Sequence, residues 1–396
     1  MANSKTLVRA MGDNKAKRHI EYILFCLFLV FLLDPGDSIF NLKLPLFILL
    51  ILLWIINDAT MTQIEMRYFI TFFSITTISL LVGAFYDGSL SFAIGILTSE
   101  VLFFLMPVFR IYNGDIIKLF SKACLVMCTL IIIFFVAELV LPHSIIFPIY
   151  MFGNEHNAFT IDFRYYAGIR FGNVYFHASP MLVVANAYYT DQYLKKPSFK
   201  KSIPAIIVIM SLFLTGSRNN MLISLAIPVI LVIIEGNKKQ KAIIGIGIII
   251  ALPIAVPILK DFFDLSDYSN SIKLGYFKVF GKAINENPLK WITGCGLGTT
   301  VYVPTVYREV FLTELTYLNC IYWFGIPMSI ILFTVMATPI YYHVDKSKKY
   351  LKVIYFSFLY LCMLNPFLFN SVGITVLSMC IYQLYEYKNP IDSLVS

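Results

Sequence analysis

Thr215-Gly216-Ser217-Arg218-Asn219-Asn220-Met221-Leu222 stands between two apolar runs, residues 203–215 and 220–235. A polar turn wedged between such runs reads as the tip of two helices that cross a bilayer. A guanidinium near hydrocarbon is costly to place, so Arg218 is a functional-site suspect. The lysines of the neighbouring loops put this turn on the outer side of the membrane. An arginine held there suits a ligand that is anionic and lipid-linked.

The rest of the chain has the same character. It has 396 residues, 59% hydrophobic and 14% charged, where soluble domains are roughly a quarter charged. Recurrent apolar runs predict an all-α, polytopic integral membrane protein, one membrane-embedded domain over 1–396. About twelve spans are expected, at 20–33, 44–56, 68–85, 91–109, 120–141, 174–191, 203–215, 220–235, 242–259, 312–339, 353–366 and 368–385. A formal net charge of +8 would also suit nucleic acid. The lysines, however, fill short loops between apolar runs, which points to anionic membrane lipids and not to nucleic acid.

Those loops orient the set. Lys195, Lys196, Lys200 and Lys201 fill one, Lys238, Lys239 and Lys241 a second, and Lys346, Lys348, Lys349 and Lys352 a third. With the basic N-terminal segment they are expected inside, as are both termini of a multi-pass protein of the cell (inner or plasma) membrane. The first helix is expected to be retained and not cleaved as a signal. Two long external loops follow, 142–173 and 260–311, rich in Tyr, Phe, Gly and Asn and expected to be ordered over the membrane. Pro253, Pro257 and Pro327 predict kinks.

Candidate chemistry collects on the outer side. Arg170, Arg218 and Arg308 lie near apolar boundaries, with Arg164 and Lys273 in the same long loops. Arginine presents a planar fork of donors that suits phosphate, and Asn219 lies where a helix start offers backbone donors as well. The plainer reading is that these cations snorkel to lipid phosphates. Glu314, beside Tyr317 and Asn319, is placed to accept a proton from a hydroxyl. Its plainer role is an ion partner for Arg308 or Arg218.

Other features carry less. The five histidines form no constellation, no metal ligand set appears, and His177 reads as a structural residue. Gly294-Cys295-Gly296-Leu297-Gly298 lacks the strand–helix surroundings of a dinucleotide loop and reads as a tight turn. Ile272, Tyr276, Phe280 and Ile284 recur at helical spacing, which predicts an amphipathic helix over 272–284. Six of the seven cysteines fall in apolar runs, and Cys295 falls in the long polar loop.

Arg218-Asn219-Asn220-Met221-Leu222 resembles the Arg-x-x-x-Leu motif of the O-antigen polymerase and ligase family. Leu214-Thr215-Gly216-Ser217 resembles that family's approach to it. Asn285-Glu286-Asn287-Pro288-Leu289 followed by Gly294–Gly298 resembles its Pro-then-Gly-x-Gly-x-Gly element, and Arg170-Phe171-Gly172-Asn173 another recurrent one. Lys273 stands where many members carry arginine. The similarity covers roughly residues 160–340. It implies a membrane glycosyltransferase of the Wzy type, a polysaccharide polymerase that needs no cofactor. Its partner would be an oligosaccharide on undecaprenyl diphosphate, with a chain-length regulator as a further partner. The product would be O-antigen, capsule or exopolysaccharide. Arg218 and Glu314 would be catalytic, while Arg170, Lys273, Arg308, Asn219 and Tyr317 would bind diphosphate and substrate. Ligases of the family carry a histidine where this chain has Glu314, and Met328 stands in place of a glycine, so the polymerase branch is favoured over the ligase. A flippase is the rival of another class. It is disfavoured because the charges gather on one face and no internal repeat is seen.

Overall fold

The computed structural model describes residues 2–57, 60–166, 169–246, 268–342, 344 and 348–386. The helices are α1 (Ala2–Leu33), α2 (Lys43–Ile56), α3 (Gln63–Ala84), α4 (Leu90–Glu100), α5 (Leu105–Tyr112), α6 (Ile116–Val140) and α7 (His143–Glu155). An antiparallel hairpin follows, β1 (Phe159–Tyr166) and β2 (Ile169–Phe176). Then come α8 (Leu182–Lys195), α9 (Phe199–Leu214), α10 (Arg218–Glu235), a helical run α11 at 238–246, α12 (Tyr268–Asn285) and α13 (Lys290–Thr293). A second small hairpin, β3 (Val301–Val303) and β4 (Arg308–Val310), precedes α14 (Thr316–Ala337), α15 (Tyr350–Leu364) and α16 (Ser371–Glu386).

Local chemistry sets several of these boundaries. Thr62 and Glu65 form a reciprocal capping box that opens α3: Glu65 N–H donates to the Thr62 hydroxyl at 3.3 Å and Thr62 N–H to the Glu65 carboxylate at 2.6 Å. Asp115 caps α6 by accepting from Lys118 N–H at 2.8 Å. Gly325 breaks α14 with a φ of 72° two residues before Pro327, so the kink expected there is present.

The all-α reading with about twelve spans is overturned. Five helical stretches among the described residues are long and apolar enough to cross a bilayer: Gln63–Ala84, Leu90–Tyr112, Ile116–Val140, Arg218–Glu235 and Thr316–Tyr341. Length is one reason for the difference. The 14 residues of α2 rise about 21 Å against a hydrocarbon core of about 30 Å. Composition is another, since α9 opens on Lys200 and Lys201. Expected span 174–191 begins in β2, turns at Ser179–Met181 and is helical only from Leu182. The run at 368–385 becomes α16, which is buried on nearly every face and is a core helix. Most of expected span 242–259, with Pro253 and Pro257, lies outside the described residues. The two loops expected to be long connections instead carry both hairpins, α7, α12 and α13. Large apolar side chains stay exposed along the spans, such as Leu139 on α6 and Ile330 on α14. With the five long apolar helices, they give a mostly helical, membrane-associated protein.

The bundle has two distinguishable ends. Ile230 and Ile234 near the C-terminus of α10 face Lys349 and Val353 at the start of α15, so these helices run antiparallel. Lys195 stands over the Tyr350 ring at 5.0 Å, and Tyr342 meets Tyr385 at 6.2 Å. Gln383 accepts from Ile116 N–H, and Lys17 donates to the Asn113 carbonyl at 2.9 Å. The three lysine-rich loops, the start of α6 and the end of α16 therefore share one end. Arg218, at the other terminus of α10, about 25 Å away by helix rise, lies toward the end of α15. There Thr316 donates to the Asn365 carbonyl at 2.8 Å.

Candidate functional site

The Arg218 turn is built from outside itself. Gly216 has a φ of +63°, and a Cβ there would come within 2.4 Å of the Asn173 side chain. Only glycine allows both the turn and the approach of β2. Asn173 is buried and donates to the Thr215 carbonyl at 3.4 Å. Asn220, also buried, donates to the Thr215 hydroxyl at 3.0 Å and to Ser179 at 3.3 Å. The first hairpin thus fixes the start of α10, where Arg218 and Asn219 are its first two residues and half-buried. The first N–H groups of a helix point out of its start, which gives the turn a positive end.

The second part gathers three expected residues. Tyr276 of α12, Val303 of β3, Val310 of β4 and Leu315 form a small apolar cluster, with Leu364 of α15 packed against it. That cluster sets Lys273, Arg308 and Glu314 on one subassembly. Lys273 Nζ lies 3.6 Å from the Glu314 carboxylate, with the side chains 23% and 53% exposed. The carboxylate meets Lys273, where the sequence led us to expect Arg308 or Arg218. Glu314 is held by its neighbours: Asn319 accepts from Thr313 N–H at 3.2 Å and from its hydroxyl at 2.8 Å, and donates back to the Thr313 carbonyl at 2.9 Å. Arg308 is exposed on β4, opposite Val303. Tyr317 is turned inward: its hydroxyl donates to the Leu359 carbonyl at 2.8 Å and its ring meets the Phe333 ring edge-on at 5.3 Å. The backbone of Arg170 pairs with Tyr165 in the first hairpin. Its side chain, like that of Arg164, lies outside the described residues.

Gly294–Gly298 wedges between helices. The kink at Gly325 frees the carbonyls of Tyr322 and Trp323, which accept from Cys295 N–H at 2.7 Å and Gly296 N–H at 3.1 Å. Leu297 N–H donates to Ser79 of α3 at 2.9 Å, and a Cβ on Gly296 would lie 2.1 Å from Gly83 N. The tight-turn reading holds, and the backbone it approaches is the protein's own. Cys295, within the long loop, is buried here, and burial pushes its thiol pKa up. Burial also lowers the His177 pKa, which keeps that imidazole neutral near pH 7. Residues 272–284 form the expected amphipathic helix, with Tyr276, Phe280 and Ile284 buried.

Sequence reasoning missed Ser179, Asn173 and Asn220 as supports of the Arg218 turn. Their contacts join residues some forty positions apart, so spacing could not show them. Among the described residues, no group of three or more His, Cys, Asp or Glu could hold a metal ion. No protein-family model matches the chain, and neither a curated protein nor a solved structure is significantly similar to it.

Proposed function

We propose that this protein is a multi-pass glycosyltransferase of the cell membrane that joins lipid-linked oligosaccharide units, with both termini in the cytoplasm. The observation that carries the reading is that the Arg218 turn and the Lys273–Glu314 pair, with Arg308 beside it, both lie at the end of the bundle opposite the lysine-rich loops. An excess of lysine marks the cytoplasmic face, so the opposite end would meet substrates outside. An oligosaccharide on undecaprenyl diphosphate fits the chemistry. A hydroxyl of the acceptor sugar attacks the anomeric carbon of the donor, its proton passes to Glu314, and the sugar–phosphate bond breaks. The lipid diphosphate leaves with the electron pair. Arg218 and Lys273 would stabilise the charge that develops on it.

The test is polymer synthesis by purified protein given lipid-linked repeat units. Arg218→Ala should lower the rate about a thousandfold, the upper range for losing one preorganised donor, while the protein remains folded. Arg218→Lys should restore only part, since a point charge cannot reproduce the fork. Normal chain lengths from folded Arg218→Ala would overturn the proposal.

A further inference from the structure

At the lysine-rich end, α10, α15 and Val344 enclose a pocket of about 540 Å³, within the roughly 300–1,000 Å³ typical of small-molecule sites. Its wall is apolar, made by Ile230, Ile234, Val344, Val353 and Phe356, and its lip carries Lys349 and Lys352. Ile230, Ile234 and Phe356 are exposed on the flank of the bundle, so the pocket opens sideways. We propose that it binds an anionic phospholipid, with an acyl chain against the wall and the phosphate on the two lysines.

Three observations select this occupant. The first is depth. Two apolar spans end beside the pocket, at Glu235 and Tyr341, which places its lip at the level of lipid head groups. The second is charge. Lys352 spends one donor on the Ile340 carbonyl at 3.0 Å and keeps two more for a ligand. Lys349 directly precedes α15, whose first turn adds the positive end of its dipole. Among the described residues, the carboxylates in reach of these lysines are Glu235, which feels Lys349 and Lys195, and Asp191, paired with Lys195 at 2.7 Å. Lys349, Lys352 and Lys195 face those two carboxylates, so the described part of the lip is cationic. The third is shape. A soluble anion would leave the flank-facing wall uncovered, whereas an acyl chain covers it. The site lies a helix length from Arg218 and does not depend on the polymerase reading.

Native mass spectrometry of the purified protein with phosphatidylglycerol or phosphatidylcholine of matched chains provides the test. Phosphatidylglycerol should be retained preferentially. Among the described residues no hydrogen bond uses the Lys349 ammonium, and Lys349→Gln should weaken retention about fivefold, from roughly 1 kcal/mol per lysine near a lipid surface. Lys349→Gln with Lys352→Gln should weaken it about thirtyfold on the same basis. Ile230→Trp, which fills the pocket and leaves both lysines, should also abolish the preference. Arg218→Ala should leave it unchanged, which separates failure here from failure of the proposed reaction. Equal retention of the two lipids would overturn the proposal. So would full retention in Ile230→Trp, which would reduce the lysines to general surface charge. Displacement of the lipid by millimolar inorganic phosphate would assign the lip to a free anion and overturn it too.

Discussion

Two lysine–carboxylate pairs stand at opposite ends of this bundle in contrasting surroundings. Lys195 and Asp191 lie one turn apart on α8, 2.7 Å from each other, with Asp191 fully buried. Lys273 and Glu314 come from distant segments, lie 3.6 Å apart and leave the carboxylate more than half exposed. A buried carboxylate that has lost its water depends on its cation, whereas an exposed pair gains little and gives up little when it opens. At the lysine-rich end this charge is therefore part of the packing. At the Arg218 end it is held open, where a ligand can exchange with it.

The largest stability effect should come from breaking the buried pair. Lys195→Met keeps the aliphatic stem but leaves the buried Asp191 carboxylate without its cation, with the Gln192 amide donating to it at 3.4 Å. Loss of one partner from such a pair costs about 3–5 kcal/mol, so we expect a fall at the low end, near 3 kcal/mol, because Lys195 itself is partly exposed. Thermal unfolding in detergent measures it. A loss below about 1 kcal/mol would put the two pairs in the same class and end the comparison.

The sequence makes one end easier to read than the other. The lysine loops announce themselves by composition, and the structure gathers them. The place of the Arg218 turn, the kink at Gly325 and the face of α12 follow from local chemistry of a few adjacent residues, whereas the Asn173 and Ser179 supports of that turn come from some forty positions away. The first hairpin was also written locally: Phe159, Ile161, Val174 and Phe176 alternate inward, the period-two signal of a strand. An apolar-run reading absorbed it into a loop and a span. The meeting of Lys273 with Glu314 had no local sign, because a cluster drawn from α12, both strands of the second hairpin and Leu315 creates it. Counting apolar runs also overstated the spans, since a run buried on all sides, as in α16, looks like one facing lipid.

Burial and not location should decide which charges are structural, and Asp34 tests this at the Arg218 end. Its carboxylate is buried and accepts from the N–H groups of Ser38 at 3.0 Å and of Ile39 and Phe40 at 2.8 Å. Burial works to raise its pKa, but the Phe40, Ile39 and Ser38 donors and Lys43 outweigh it, and the pKa lies below its ordinary value. A depressed carboxyl pKa stabilises the fold above the unfolded value, about 4, and that contribution fades as pH falls through the folded pKa. Stability should thus be flat in this respect from pH 7 to 5 and drop only below about pH 4. Asp34→Asn should cost about 2 kcal/mol at neutral pH and remove that acid step. An unchanged acid limb in Asp34→Asn would assign the step to other groups.

The smallest stability effect belongs to Glu314→Gln. An exposed pair contributes about 0.2–1 kcal/mol, and the Thr313–Asn319 hydrogen bonds that hold this segment do not use the carboxylate. Unfolding should therefore shift by less than about 1 kcal/mol. Polymer synthesis should nonetheless fall about a hundredfold, the low end for losing a general base. Lys273→Met separates the two roles of the pair, since it keeps the base and removes a cation that would hold diphosphate. It should raise the KM for the lipid-linked donor more than it lowers kcat. Glu314→His then supplies a base with an ordinary pKa near 6.5. If Glu314 takes the proton, part of the activity returns with a pH profile that rises through that value. If Glu314→Gln unfolds readily, the carboxylate is structural after all and the contrast between the ends fails. If Glu314→Gln is stable and fully active, the Arg218 end works through its cations alone.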